Sequence, residues 1–215
     1  MTYLELVNAV LRKLREEEVT TIAESDYSKL IGDFINDAVQ SVENAWDWTA
    51  LRHTYSITTV AGTSTYALTG FGSRSKVLYA HNETNNTYIK QESLQRVREL
   101  ALGTDNAQGT VQYFAIEGLD SNGDAQVRLY QTPNAVETLS VYTVRRNTSL
   151  SDDADTTLLP SQPIIQFAFA YALRERGETG GQSAAEQIIF AQEDLRNAIA
   201  LDGNLHPEEL IWNYV

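Results

Sequence analysis

The chain contains no cysteine, which excludes disulfide bonds and thiolate chemistry. Positive charge is scarce as well: 16 lysines and arginines stand against 29 aspartates and glutamates, a formal net charge of −13 at pH 7. Affinity for free nucleic acid rests on neutralising phosphates. The chain is therefore a poor candidate for gripping DNA or RNA, although it can stand beside DNA and repel it. Long apolar runs are missing. The longest, Ile164–Leu173, is too short to span a bilayer, which takes about 20 residues. The opening Met1-Thr2-Tyr3-Leu4-Glu5 lacks the basic and apolar regions of a secretory signal, so synthesis in a cytoplasm and no membrane partner are expected.

Catalytic signatures are equally thin. There is no phosphate-cradling glycine loop, nucleophile elbow or zinc motif. The three histidines, His53, His81 and His206, lie in separate segments without metal-ligand spacing. Asp120-Ser121-Asn122-Gly123-Asp124 places oxygens as a calcium loop begins. However, Ala125 stands where the bend needs glycine and Gln131 where a bidentate glutamate belongs. Asn122-Gly123 reads instead as a hairpin turn. Asp152, Asp153 and Asp155 read as a solvated acidic loop. No catalytic residue, metal ligand or cofactor is assigned.

What is present is a succession of periodic patterns. Apolar residues recur at helical spacing over Thr2–Glu17 and Ser25–Asp47, and again over Pro163–Gly177 and Ser183–Ala200. Thr2 with Glu5, and Ser183 with Glu186, form capping boxes. Between the two pairs the period shortens to that of strands: Thr54–Thr58, Thr65–Leu68, Lys76–Ala80, Thr87–Lys90, Val111–Glu117, Ala125–Tyr130 and Thr138–Arg145, with a short helix over Ser93–Ala101. Short strands with hairpin-type connections predict a mainly antiparallel sheet. Trp46 and Trp48 are expected to fill core where the helices give way to the sheet. The polar stretch Asn147–Gln162 reads as a linker.

These patterns predict an α+β fold: an antiparallel helical bundle built from both chain ends, with an inserted, mainly antiparallel β domain. The expected boundaries are 1–50 for the first part of the bundle, 51–148 for the β domain with its short helix, 149–203 for the second part of the bundle and 204–215 for a C-terminal tail. The third long helix is apolar on every side, so it needs cover on every side. Phe167, Phe169 and Tyr171 are therefore candidates for a subunit interface. The tail carries Leu210, Ile211, Trp212 and Tyr214. Such residues are costly to expose and make good anchors, so they either fold back on the bundle or dock on a partner.

This layout resembles the head-to-tail adaptor proteins of tailed bacteriophages, of the connector or tail tubular protein A type. The residues that carry the resemblance are the opening Thr2-Tyr3-Leu4-Glu5-Leu6-Val7-Asn8 helix, the long second helix ending in Trp46-Asp47-Trp48, the strand-rich insertion, Leu159-Pro160 leading into the Phe167–Leu173 helix, and the Gly180-Gly181 break before the closing helix. The resemblance implies a virion structural protein at the head–tail junction, assembled in the host cytoplasm. It implies self-association into a ring, of twelve copies, that meets the portal protein on one side and a distal tail protein on the other and lets DNA pass without sequence-specific binding. Tail residues 210–214 would then meet the portal or a neighbouring subunit. A stopper or terminator of the neck, a calcium- or carbohydrate-binding module, and a hydrolase with an unrecognised carboxylate pair are the rival readings.

Overall fold

A computed structural model describes residues 1–103, 108–146, 149–177 and 184–205. The chain divides into two compact units, Met1–Ala50 with Thr148–Val215, and Leu51–Asn147.

In the first unit, α1 (Tyr3–Lys13) opens on the capping box: Glu5 N–H donates to Thr2 Oγ1 (3.2 Å) and Thr2 N–H to Glu5 Oε2 (2.8 Å). Its buried stripe is Tyr3, Leu6, Val7, Val10 and Leu11. The second helix, α2 (Asp26–Ala45), is capped by Ser25 and buries Ile31, Ile35, Ala38, Val39 and Val42. Gly32 is required where these helices meet, because a Cβ there would collide with the Tyr3 hydroxyl. That hydroxyl accepts from Asn36 Nδ2 at 3.0 Å, and burial, with Asp33 and Asp153 nearby, pushes the phenol up to about 12.

The stretch read as a linker is partly a strap. Asp155 O accepts from Tyr3 N–H (2.7 Å) and Asp153 O from Leu4 N–H (3.2 Å). Asp153 Oδ1 accepts from Ile22 N–H (3.1 Å) and Asn36 Oδ1 from Leu150 N–H (3.0 Å). Hydrogen bonds from the Asp152 and Ser151 backbone amides hold the Asp155 carboxyl below its usual value. The acidic loop thus spends its oxygens on backbone amides that would otherwise lack partners.

The helix α4 (Ser161–Arg176) packs against α1, α2 and the closing helix α5 (Ala184–Gly203). It buries Ile164, Ile165, Phe167, Ala168, Ala170, Ala172 and Leu173. Gly177 ends it in the left-handed conformation, φ +63°, which glycine adopts without steric cost.

The second unit is a sheet. Its strands are β1 (Arg52–Thr58), β2 (Thr65–Leu68), β3 (Lys76–Asn82), β4 (Thr87–Gln91), β5 (Gln108–Gly109), β6 (Tyr113–Leu119), β7 (Ala125–Tyr130), β8 (Thr132–Pro133) and β9 (Thr138–Val144). Seven pair in the order β1-β9-β3-β4-β6-β7-β2, and β5 pairs with β8 separately. Tyr55, Ile57, Leu68, Ile89, Phe114, Val127, Leu129, Leu139 and Val141, drawn from every strand of the large sheet except β3, enter one core that also holds Ala80 of β3. All seven strands can share one core only if the sheet curls, here nearly into a barrel.

The expected fold class needs correction. The chain is a mixed α/β protein dominated by this large sheet, with five α-helices among the described residues, rather than an antiparallel helical bundle carrying an inserted, mainly antiparallel β domain. Two observations explain the difference. The pairs β4/β6 and β5/β8 are parallel. A parallel pair needs a crossover rather than a hairpin, and α3 (Leu94–Gly103) supplies it between β4 and β6, packing on β6 and β7 with Val97 fully buried. The long helices also do not share one core evenly: α5 packs chiefly on α4 and buries only Gln187 and Ala191.

One ion pair network fastens α3 to the sheet. Glu117 Oε1 meets Arg98 Nη2 at 3.0 Å and Arg128 Nη1 at 2.9 Å. The hydrogen bond from Arg98, with Arg128 beside it, holds the Glu117 carboxyl below its ordinary value. The stabilisation this gives is present above the ordinary carboxylate range and is lost as pH falls through the depressed value. A Glu117→Gln chain is expected to lose up to about 1 kcal/mol at neutral pH and to show a shallower acid limb in urea melts taken at successive pH values. An unchanged limb would contradict this.

Candidate interaction surfaces

The Asp120–Asp124 segment forms a turn. Asp120 Oδ1 accepts from Asn122 N–H (2.8 Å) and Asp124 N–H (2.9 Å), and Gly123 sits at φ +82° in the turn between β6 and β7. Asp124 Oδ1 accepts from Gly70 N–H at 2.6 Å. Among the described residues, no group of three or more His, Asp or Glu side chains is placed to hold a metal ion. No described helix is long and apolar enough to cross a membrane.

The candidate interface residues on α4 separate. Phe167 is buried within its own chain. Phe169 lines a groove of about 530 Å³ with Lys13, Gln166, Gln187, Phe190, Glu193 and Asp194. The groove's polar floor is satisfied internally: Lys13 Nζ donates to Gln166 Oε1 (2.8 Å), as does Gln187 Nε2 (2.9 Å), and Lys13 lies 5.5 Å from the Phe169 ring centre. Burial lowers the Lys13 ammonium pKa against the pull of Asp194. Tyr171 stands on another side, edge-on to Phe34 at 6.3 Å, beside Asp37, Arg174 and Glu175. The tail residues Leu210, Ile211, Trp212 and Tyr214, with His206, lie outside the described residues, as do Ser183 and the Gly180-Gly181 break.

Among the described residues of the helical unit, α5 carries three of the exposed large apolar side chains. Ile189 is 63% exposed, Phe190 43% and Leu201 71%. The long apolar run of α4 is covered by α1, α2 and α5, whereas α5 packs chiefly on α4. The end of α5 is held by Asp202, whose Oδ2 accepts from Trp46 Nε1 (3.0 Å) and Thr49 N–H (3.1 Å).

The sheet unit carries a second surface. On its outer face Tyr79 stacks on Tyr142 (4.4 Å between ring centres), and Tyr88 lies edge-on to Tyr79 (6.5 Å) and His81 (5.3 Å). Alternation puts them outside: Ala80, Ile89 and Val141, their neighbours in sequence, are buried. Tyr88 is 76% exposed and Tyr79 48%. Hydrogen bonding from the Ser140 hydroxyl, and from His81 and Tyr142, holds the Glu83 carboxyl below its ordinary value. The strands β1, β3, β4 and β9 contain Arg52, Lys76 and Lys90 and no acidic residue.

Charge divides along the same line. The helical unit holds 21 of the 29 acidic and 7 of the 16 basic residues, a net −14, whereas the sheet unit holds 8 and 9, a net +1. Nothing in composition alone signals this partition.

The described surfaces thus carry large apolar and aromatic side chains that the chain itself leaves uncovered. A family model described as SU10 adaptor protein matches residues 1–204. The chain belongs to the SU10 adaptor protein family. This is a phage head-to-tail adaptor family, so the adaptor is a structural component of a virion, and membership implies contact with portal and tail components. Comparison with curated proteins gave no match. Residues 205–215, with the aromatic tail, fall beyond the matched stretch.

Proposed function

We propose that the adaptor closes into a ring, of twelve copies by resemblance, at the head–tail junction, joining portal to distal tail and continuing the channel through which DNA passes. The observation that carries this reading is the exposure of Ile189 and Phe190 on the first half of α5, together with Phe169, which shares a groove with Phe190. Phe190 and Phe169 line one groove and Ile189 stands next to Phe190 in the chain; exposed apolar side chains that adjoin in this way mark a protein contact. Repeating one contact around an axis closes a ring. The charge partition supports the channel. A bore faced by units of net −14 repels phosphate, so DNA slides instead of sticking.

Native mass spectrometry of the protein, alone and with portal, tests the reading. The expected result is a closed oligomer of one size. The Ile189→Asp chain should assemble at least about tenfold more weakly, the fold-change of roughly 1.4 kcal/mol, while its own unfolding changes by less than about 1 kcal/mol, as for an exposed site. A monomer under both conditions would refute the ring. The tail is proposed to dock Leu210, Ile211, Trp212 and Tyr214 on portal or on a neighbouring subunit. Removing 204–215 should leave the urea midpoint near that of the whole chain and weaken assembly on portal. Normal assembly would remove the tail from the interface.

A further inference from the structure

The two uncovered surfaces complement each other. The exposed side of α5 combines Ile189 and Phe190 with the acid Glu193, three to four residues on and so on the same side of the helix. The outer sheet face combines Tyr79, Tyr88 and Tyr142 with the cations Arg52 and Lys90. Resting on the ring reading, we infer that neighbouring copies meet head to tail, with the α5 side of one copy seated on the tyrosine face of the next.

The physical argument is one of exclusion by charge. A contact made of helical unit against helical unit sets net −14 beside net −14, and like charges across an interface are costly. The sheet unit is net +1, and the strands that form its tyrosine face carry Arg52, Lys76 and Lys90 against the acid Glu83, which follows β3 and is engaged with His81 and Tyr142. Seating α5 there relieves the repulsion. It also buries apolar side chains against tyrosines, which anchor interfaces at low entropic cost. Because the two surfaces differ, the contact is heterologous, the type that generates rings.

A chain without cysteine makes the test direct. Thr54→Cys, paired with Tyr142 across β1 and β9, and Gln192→Cys, about one turn from Ile189 on α5, are made as separate chains. Both positions are exposed and neither is an anchor of the inferred contact, so each variant should fold and assemble. The two are mixed, assembled with and without portal, and treated with a bis-maleimide linker. The expected result is a covalent dimer from the mixture and none from either variant alone. Adding Lys90→Glu should cut the cross-linked yield at least about tenfold, as for reversal of a charge at an interface. Rings that form without cross-linking in the mixture would overturn the assignment of surfaces and leave the ring standing. Cross-linking of either variant with itself would overturn it too, because it reports an isologous contact. Failure to form any oligomer would overturn both.

Discussion

Replacing Trp48 with alanine should cost about 3–5 kcal/mol, the range for deleting a large buried aromatic, and should be among the largest single effects in the helical unit. The indole is 1% exposed, and its Nε1–H donates to Val42 O at 2.7 Å. Val42 lies in the last turn of α2, where carbonyls have no partner within the helix. The substitution therefore opens a cavity and strips an acceptor at once. Trp48→Phe separates the two losses: it keeps most of the apolar volume and removes the donor, and is expected to cost about 1–3 kcal/mol. Urea denaturation followed by far-ultraviolet circular dichroism measures both. A Trp48→Ala chain within about 1 kcal/mol of the parent would contradict the placement of this side chain.

The second large effect belongs to the sheet unit. Glu137 is buried just before β9, and its carboxylate accepts from Asn82 Nδ2 (2.8 Å) and Asn85 Nδ2 (3.0 Å). Its backbone N–H donates to Thr59 Oγ1 (2.7 Å), and its carbonyl accepts from Thr59 N–H (2.8 Å). One residue thus ties the end of β1 and the β3–β4 hairpin to the start of β9. Hydrogen bonds to a charged acceptor contribute about 1.5–3 kcal/mol, and a buried donor left unsatisfied costs about 1–3 kcal/mol. Glu137→Ala should therefore destabilise by about 2–4 kcal/mol. Adding Asn82→Ala to it should cost less than the two separate losses together, because the orphaned amide is removed. Strict additivity in that double-mutant cycle would mean that the two side chains do not interact.

The helices were legible because their signals are local. Capping by Thr2 and Ser25, the 3.6-residue spacing along α1 and α2, and Gly177 after α4 each act within a few residues of themselves. The strands were legible as elements for the same reason. Their arrangement was not. The parallel pairing of β4 with β6 depends on how α3 crosses the sheet, and no dipeptide encodes that, so the fold read as a helical bundle with an antiparallel insertion is in fact a mixed sheet with helices. Long-range polar work was equally hidden. Asp153, Asp155 and Asn36 look like ordinary loop and helix-surface residues in sequence, yet they strap the start of α1 and the segment around Leu150 to the helices. The cover that α1, α2 and α5 give α4 was hidden as well, because periodicity reports how much of a helix is apolar, not how many partners it finds. The tyrosine face was missed because Tyr79, Tyr88 and Tyr142 lie far apart in sequence and meet only through the β9-β3-β4 pairing.

End-on electron microscopy of the adaptor assembled on portal tests the central claim most directly. The account expects a closed ring in which every copy makes the same contact and the acidic helical units face the bore. Copies bound singly to portal with no contact between neighbours, or a bore walled by the sheet units, would contradict it.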